Sequence, residues 1–366
     1  GLCVDVVYLD FSKAFDKVNH TLLILKLTDR GVPQQLIAWI QSFLTQRTQR
    51  VVLDDHFSDW TSVDSGVPQG SVLGPLLFNL YIDDFDSVLL PPVKVKKFAD
   101  DTKIYITYSP NTAIASAQVL QSSLDGLSQW CSKWQMKLNH SKCNILHFGQ
   151  NNQCLTYTID GFTLEPTANI RDLGVTISNT GGVSEHCIKA AAQARKLTGL
   201  MLRTFHSRKS SVIIPIFKTV IRPIVEYATA VWNPCLAKDV AEIERVQRKI
   251  TKCISGMSNL SYEERLQRLG LPTLEDRRKY FDLIECYKIV HSLVRSDCHA
   301  VLTLSACNTR GFQTKLKCTT LTARHNVRKH FFIERVLSLW NALPLEVVMH
   351  STLSTFKCAL REHLRV

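Results

Sequence analysis

The stretch Val93-Lys94-Val95-Lys96-Lys97-Phe98-Ala99-Asp100-Asp101-Thr102-Lys103-Ile104-Tyr105-Ile106-Thr107-Tyr108 decides the fold. Val93–Phe98 and Lys103–Tyr108 read as two short strands joined by Ala99-Asp100-Asp101-Thr102. An Asp-Asp pair in a connection is common turn chemistry, because its carboxylates bond the local backbone. The surroundings add a second reading. Val4–Leu9 looks like a central strand, and it ends in Asp10. If both elements lie in one sheet, Asp10, Asp100 and Asp101 converge at one edge. Three clustered carboxylates repel each other. Mg²⁺ would offset that repulsion, since it takes oxygen ligands from a few carboxylates and from substrate phosphates. Two such ions polarise an attacking hydroxyl and stabilise a departing pyrophosphate.

Working outward, Gly66-Val67-Pro68-Gln69-Gly70-Ser71 leads into an apolar helix over Val72–Phe85, with Pro75 near its first turn. Glycine allows backbone to approach a ligand closely, and a helix start accepts anionic groups. An ordinary glycine-containing start of a helix is the plain alternative. A polar hairpin is expected earlier, with arms near Arg50–Leu53 and Trp60–Val63. Leu120, Leu124, Leu127, Trp134 and Leu138 recur at helical spacing, with Trp130 and Trp134 in the core. Cys143–Phe148 reads as a strand, Asp160-Gly161 as a hairpin turn, and Asn169–Ile177 as one further strand. From Ser184 the pattern is helical. Strands with helices followed by helices alone argue an α+β region and then an all-α region. The divisions expected are 1–182, 183–260 and 261–366.

Composition excludes several classes. The 366 residues are 45% hydrophobic and 21% charged, as in ordinary globular chains, so disorder is not the main state. No run of 18 apolar residues is present, so no spanning helix and no membrane partner are expected. No signal peptide is visible, and the first residue is Gly1 within a buried-looking strand, which reads as a fragment. The 12 cysteines are scattered, as in reduced intracellular thiols. Cys298, His299, Cys307 and Cys318 lack the spacing of a zinc site. Lysine and arginine total 44 against 32 acids, a net of +12. Residues 1–182 hold 14 bases and 17 acids (−3), leaving 30 and 15 (+15) for the remainder. A basic second half suits a polyanion.

The order of these features is more specific than any one of them. LDFSKAFDKVNH, GVPQGSVLGP, FADD, WQMKLNHSKC and Leu173-Gly174 resemble, in sequence, the five palm motifs of reverse transcriptases. Their wording is similar to the non-LTR (LINE, jockey-like) retrotransposons. Phe98-Ala99 points away from the retroviral enzymes. IRPIVEYATAVWNP, ERVQRK, LPTLEDRR and LWNALP extend the resemblance over nearly the whole chain. It implies a right-hand polymerase palm, an antiparallel sheet with packed helices, followed by an all-α thumb and a C-terminal helical region. The fingers would lie outside the chain, and so would an endonuclease, so weak or no polymerase activity is expected of the isolated chain.

The resemblance also implies roles. Asp10, Asp100 and Asp101 would hold two Mg²⁺ ions, with Mn²⁺ as a substitute. Phe15 would be the sugar gate that excludes a ribose 2′-OH; core packing is its plain alternative. Backbone amides of Ser12, Lys13 and Ala14 would meet the triphosphate, and Gln69 and Gly70 the incoming dNTP. Lys142 is either the acid for the leaving pyrophosphate or a surface lysine. Leu173 and Gly174 would form the primer grip. Asp83 and Asp84 fall outside the motifs and read as solvent-facing. The partners implied are an RNA template, a DNA primer and dNTPs, with action in the nucleus.

In the helical half, Ser184 reads as a helix N-cap. Arg245, Arg248, Lys249 and Lys252 share one face of an amphipathic helix, opposite Val240, Ile243, Val246, Ile250 and Ile254. That face either tracks phosphates or is simply solvated. Arg277-Arg278-Lys279 and Arg324, Arg328 and Lys329 form further basic clusters, the latter near Phe331 and Phe332. The rival reading is a non-catalytic, domesticated nucleic-acid-binding remnant.

Overall fold

The computed structural model describes residues 1–295, 302–304, 315–318 and 330–366. Two compact units divide the chain, Gly1–Leu173 and Gly174–Val366.

The first unit is built on a five-stranded sheet. Its strands are β1 (Cys3–Leu9), β6 (Lys94–Phe98), β7 (Asp101–Tyr108), β8 (Asn144–Phe148) and β11 (Glu165–Pro166), in the order β11-β8-β1-β7-β6. Four smaller strands lie between β1 and β6: β2 (Arg47–Gln49), β3 (Val52–Leu53), β4 (His56–Phe57) and β5 (Thr61–Val63). They form the expected polar hairpin, with β2 pairing β5 and β3 pairing β4. The short β9 (Thr158–Ile159) and β10 (Phe162–Thr163) flank the Asp160-Gly161 turn. β1 is central because six of its seven residues are apolar, which suits a strand flanked on both edges. It pairs antiparallel with β7, Leu9 opposite Thr102, and with β8, Val4 opposite Phe148. The helices are α1 (His20–Asp29), α2 (Gln34–Leu44), α3 (Leu73–Ile82) and α4 (Ala113–Lys133). Leu120, Leu124, Leu127 and Trp130 of α4 join Val7, Leu9, Phe78 and Ile104 in one core. At roughly 1.5–3 kcal/mol for each fully buried large apolar side chain, this core is the main term holding the sheet edge in place.

One polar residue breaks β1's apolar run. Asp5 is fully buried. It accepts from His147 Nδ1 at 2.7 Å, Asn152 Nδ2 at 2.8 Å, Tyr108 Oη at 3.0 Å and Tyr157 Oη at 2.6 Å. Burial pushes its carboxyl up, but the bonds from His147, Tyr157 and Asn152 outweigh that and hold it below the ordinary value.

The segment expected as one strand over Asn169–Ile177 is two, β12 (Asn169–Asp172) and β13 (Val175–Ser178). The break is the turn Leu173-Gly174, where φ is 45° and 86°. That left-handed pair cannot continue a strand.

The second unit is mainly helical: α5 (Ser184–Thr204), α6 (Ser210–Ile216), α7 (Thr229–Trp232), α8 (Ala237–Lys252), α9 (Tyr262–Leu269), α10 (Leu274–Val290), α11 (Phe332–Ala342), α12 (Leu345–Val348) and α13 (Leu353–Leu364). It also holds a small antiparallel pair that the helical reading missed, β14 (Leu302–Leu304) with β15 (Leu316–Cys318). Small residues Ala190, Ala191 and Ala194 let α5 pack closely on Ile243, Val246 and Ile250 of α8. α10 serves two cores, Leu274 in this one and Tyr280, Leu283 and Tyr287 in another with Trp340 and Phe356. Ser184 is not the cap of α5, which Val183 precedes; its hydroxyl instead donates to Asp239 at 2.6 Å.

Candidate active site

The register of β1 with β7 places Asp10, one residue beyond Leu9, at the same sheet end as Asp101, one residue before Thr102. Phe98 pairs with Asp101, so the β6–β7 connection is only Ala99-Asp100. That is tighter than the four-residue connection read from the sequence, and Ala99 takes φ 52° to make it. Burial, then Asp100, Asp172 and Asp10 in that order, push the Asp101 carboxyl above its ordinary value, while Lys103 opposes them. Asp101 is therefore close enough to Asp10 and to Asp100 to feel their charge. Among the described residues no three His, Cys, Asp or Glu side chains are grouped so as to hold a metal ion. The carboxylates are oxygen donors of the type a hard divalent cation takes.

Lys142 reaches this cluster for a reason in the backbone. Ser12 N donates to Lys137 O at 2.7 Å and Asn139 N to Asp10 O at 2.8 Å, with Phe11 bridged to Leu138. The segment after α4 is thus laid along the exit of β1, and Lys142 Nζ comes to 3.6 Å from Asp10 Oδ2. The same bond engages the Ser12 amide, which removes it from the triphosphate-facing set expected of Ser12, Lys13 and Ala14. Lys13 takes φ 52° just before a single 3₁₀ turn, Ala14–Asp16.

The glycine-bounded loop docks on this turn. Gly66 N donates to Val18 O and Val67 N to Phe15 O, both at 2.8 Å. His20 Nε2 lies 2.8 Å from Gly66 O. Gly74 is required because a Cβ there would lie 2.4 Å from Pro68 O. Gly70, at φ 81°, faces open space. Gln69 Nε2 donates to Asp16 Oδ1 at 2.9 Å. Phe15 is half-buried, its ring stacked on Phe78 of α3 at 4.4 Å and 19°. The core-packing reading of Phe15 is met in part, since the ring packs against the core and stays half-exposed.

A pocket of about 520 Å³ opens beside the acids, lined by Asp10, Asp101, Lys103, Lys142, Asp172 and Leu173 among others. Asp172 was not singled out by sequence. Its carboxylate accepts from Lys103 Nζ and from Tyr8 Oη at 3.4 Å, which secures the approach to the Leu173-Gly174 turn. Burial and then Asp172 push the Tyr8 phenol up.

Two expectations change. Asp84 is not solvent-facing in the sense supposed, because it is the counter-ion of Lys26, a buried lysine, and also accepts from Trp130 Nε1 at 3.1 Å. Lys26 Nζ lies 3.7 Å from the Trp134 ring centroid, with Tyr81 and Trp130 around it. Asp83, more exposed, pairs with Arg30 at 2.7 Å.

In the second unit, Arg245, Arg248, Lys249 and Lys252 are all exposed on α8. Arg245 pairs with Glu242, at 2.5 Å, and Arg248 lies over the Tyr262 ring at 4.0 Å. The Arg277-Arg278-Lys279 cluster is not a surface patch. Arg278 is fully buried, Arg277 pairs with Glu226, and Lys279 pairs with Glu275 at 3.0 Å. Phe332 packs in the C-terminal core while Phe331 is exposed. Cys298, His299, Cys307, Arg324, Arg328 and Lys329 lie outside the described residues.

Asp10 and Asp101 come from the ends of two adjacent strands and line one open pocket, an acid pair of the kind that serves divalent ions in phosphoryl chemistry, while the glycine-bounded loop packs on the turn that follows Asp10. Comparison with known proteins narrows the class. Residues 3–177 match the family described as reverse transcriptase (RNA-dependent DNA polymerase). It is 28% identical over 281 residues to the RNA-directed DNA polymerase from mobile element jockey of Drosophila melanogaster, covering 74% of this chain and 30% of that protein. Identity to the probable RNA-directed DNA polymerase from transposon X-element of the same fly is also 28%, over 77% of this chain and 32% of that one. The chain thus spans about a third of the length of these relatives. Among solved structures, telomerase from Candida albicans is similar with a TM-score of 0.32 and 13% identity, covering 73% of this chain and 46% of that chain.

Proposed function

We propose that this chain carries the catalytic centre of an RNA-directed DNA polymerase that adds dNTPs to a primer 3′-OH on an RNA template. The observation that supports this most is the placement of Asp10 and Asp101 at one sheet end, where burial and then the charges of Asp100, Asp172 and Asp10 raise the Asp101 carboxyl, with Lys142 beside Asp10. Asp10, Asp100 and Asp101 would hold two Mg²⁺ ions, or Mn²⁺ in their place. When bound, the ions supply charge neutralisation at the attacking and leaving oxygens.

The chain's own residues do the rest. Lys13 and Ala14 offer backbone amides toward the triphosphate. Phe15, braced by Phe78, sets a wall against the sugar edge and disfavours a ribose 2′-OH. Gln69 and Gly70 line the nucleotide's flank. Lys142 donates a proton to the leaving pyrophosphate. The Leu173-Gly174 turn steadies the primer. Arg245, Arg248, Lys249 and Lys252 contact backbone phosphates from a thumb-like region within 183–260, beyond which 261–366 forms the C-terminal basic part. The site of action would be the nucleus.

Mg²⁺-dependent dNTP binding and incorporation on a primed RNA template tests this reading. Both should vanish in Asp100→Ala and Asp10→Ala. RNA affinity that is the same in wild type and Asp10→Ala, with no dNTP binding by either, would replace it with a non-catalytic nucleic-acid-binding remnant.

A further inference from the structure

We infer that Asp16 is a positioning residue for Gln69 and that it sets the dNTP affinity of the site; this rests on the polymerase reading above. Asp16 lies in the first motif but stands outside the acid cluster. Its carboxylate accepts from Gln69 Nε2 at 2.9 Å. Its backbone carbonyl accepts from Ser65 Oγ at 2.8 Å, just upstream of the same loop. Four bonds from residues 65–69 therefore end on residues 15–18: Ser65 and Gln69 on Asp16, Val67 on Phe15 and Gly66 on Val18. Three of these fix backbone, and only one fixes the glutamine side chain.

That one bond matters because, among the described residues, Asp16 is the hydrogen-bond partner of the Gln69 side chain. The next residue, Gly70, offers no side chain, and a Cβ there would meet open space. A glutamine in such a place has three free side-chain torsions and loses rotamer entropy when ordered. With Asp16 holding Nε2, part of that ordering is complete before a nucleotide arrives, and the amide oxygen is turned away from the carboxylate. Preorganisation of this kind appears in ligand affinity rather than in the chemical step. The carboxylate accepts without transferring a proton, so an amide oxygen at the same place would serve equally.

The test uses the full chain with primed template, in Asp16→Ala, Asp16→Asn, Gln69→Ala and the Asp16→Ala/Gln69→Ala double variant. Loss of one hydrogen bond predicts a Kd for dNTP raised about five-fold in Asp16→Ala, with primer–template affinity within two-fold of wild type. Asp16→Asn should restore the wild-type Kd, and the double variant should be no worse than Gln69→Ala alone. Additive effects, or an Asp16→Asn as impaired as Asp16→Ala, would overturn the assignment. A readout independent of activity is the Gln69 side-chain amide by ¹⁵N relaxation in the nucleotide-free chain. It should be ordered in wild type and Asp16→Asn, and mobile in Asp16→Ala. A mobile amide in wild type refutes the positioning role. An ordered amide with no dNTP binding keeps the contact and removes the polymerase reading.

Discussion

Gly66→Ala should cost the fold much more than Gly70→Ala, although both replace a glycine at positive φ. The added Cβ at 66 would lie 2.7 Å from Asp16 Cα and 2.8 Å from both Asp16 O and Phe15 O. These are backbone atoms and cannot rotate aside. Carbon atoms in contact prefer about 3.5–4.0 Å, so the two segments must part by several tenths of an ångström or more. Parting them stretches the bonds Gly66 N to Val18 O and Val67 N to Phe15 O, each now 2.8 Å. The left-handed conformation alone, φ 88° at residue 66 and 81° at residue 70, costs an alanine about 1–2 kcal/mol. Overpacking adds about 1–3 kcal/mol at position 66, while a Cβ at 70 meets nothing within 4 Å. The expected losses are about 2–5 kcal/mol for Gly66→Ala and about 1–2 kcal/mol for Gly70→Ala. Urea denaturation followed by circular dichroism measures both, with the slope against denaturant unchanged if only stability moves. Equal losses, or a Gly66→Ala loss below about 1 kcal/mol, would show that the close approach of the two motifs does not hold the loop.

Three further outcomes follow from charge and burial. Asp5→Ala strands the buried donors of His147, Asn152, Tyr108 and Tyr157 and should cost about 3–5 kcal/mol. Because the folded Asp5 carboxyl lies below its ordinary 3.8, its contribution is fully present above that value and is lost as pH falls through the folded value; Asp5→Asn should flatten that part of the acid-unfolding curve. Asp101 has the opposite sign: its folded carboxyl is raised, so ionised Asp101 subtracts stability at neutral pH, and the penalty fades as pH falls through the raised value. Asp101→Asn should therefore melt slightly higher than wild type in metal-free buffer at neutral pH, a gap that closes in acid; a lower melting temperature at neutral pH contradicts the repulsion argument. Lys142, 66% exposed, pairs with Asp10 at 3.6 Å, and Lys142→Ala should leave stability within about 0.5 kcal/mol. If it protonates pyrophosphate, kcat falls about 100-fold, whereas an unchanged kcat returns it to the surface-lysine reading.

Sequence legibility here tracked backbone connectivity. The β1 strand, the β6–β7 hairpin and the body of α4 were readable because each is a local pattern of apolar residues, but α4 stops at Lys133, short of the Trp134 and Leu138 counted in its stripe, and Leu138 bridges Phe11 instead. Register was not written in any one segment, yet it is what sets Asp10 beside Asp101. The link from Lys142 to Asp10 depends on Ser12 and Asn139 amides bonding across more than a hundred residues. The long strand expected over Asn169–Ile177 failed at Leu173, a residue with no turn preference, where φ of 45° is imposed by its surroundings. Lys26 carries no signal in the sequence; only the fold reveals Asp84 and three aromatic rings around it. Asp16 and His20 were visible in the first motif, but their partners Gln69 and Gly66 are about fifty residues away.

The charge division needs the same correction from structure. The unit boundary at 173/174 leaves the tally unchanged, since residues 174–182 carry no charge, so the first unit remains at −3 and the second at +15. A net charge counts every cation equally, and the second unit does not use them equally. Arg278 is buried beside Asn233, Arg277 is spent on Glu226, and Arg335 forms two bonds of 2.8 and 2.9 Å to the fully buried Asp282. These guanidinium groups hold helices together, where a buried pair broken by losing one partner costs about 3–5 kcal/mol. Arg277 and Arg335 are ion-paired and Arg278 is buried, so none of the three is displayed to a polyanion. Exposed cations lie on the outer face of α8, opposite the side that buries Ile243, Val246 and Ile250, although Arg245 there pairs with Glu242. On that same buried side Glu244 accepts from Leu274 N at 3.2 and 3.1 Å, fixing the start of α10. One amphipathic helix thus organises the core of the second unit with one face and presents Arg245, Arg248, Lys249 and Lys252 with the other, so its basic face is held by packing rather than by the charges it displays.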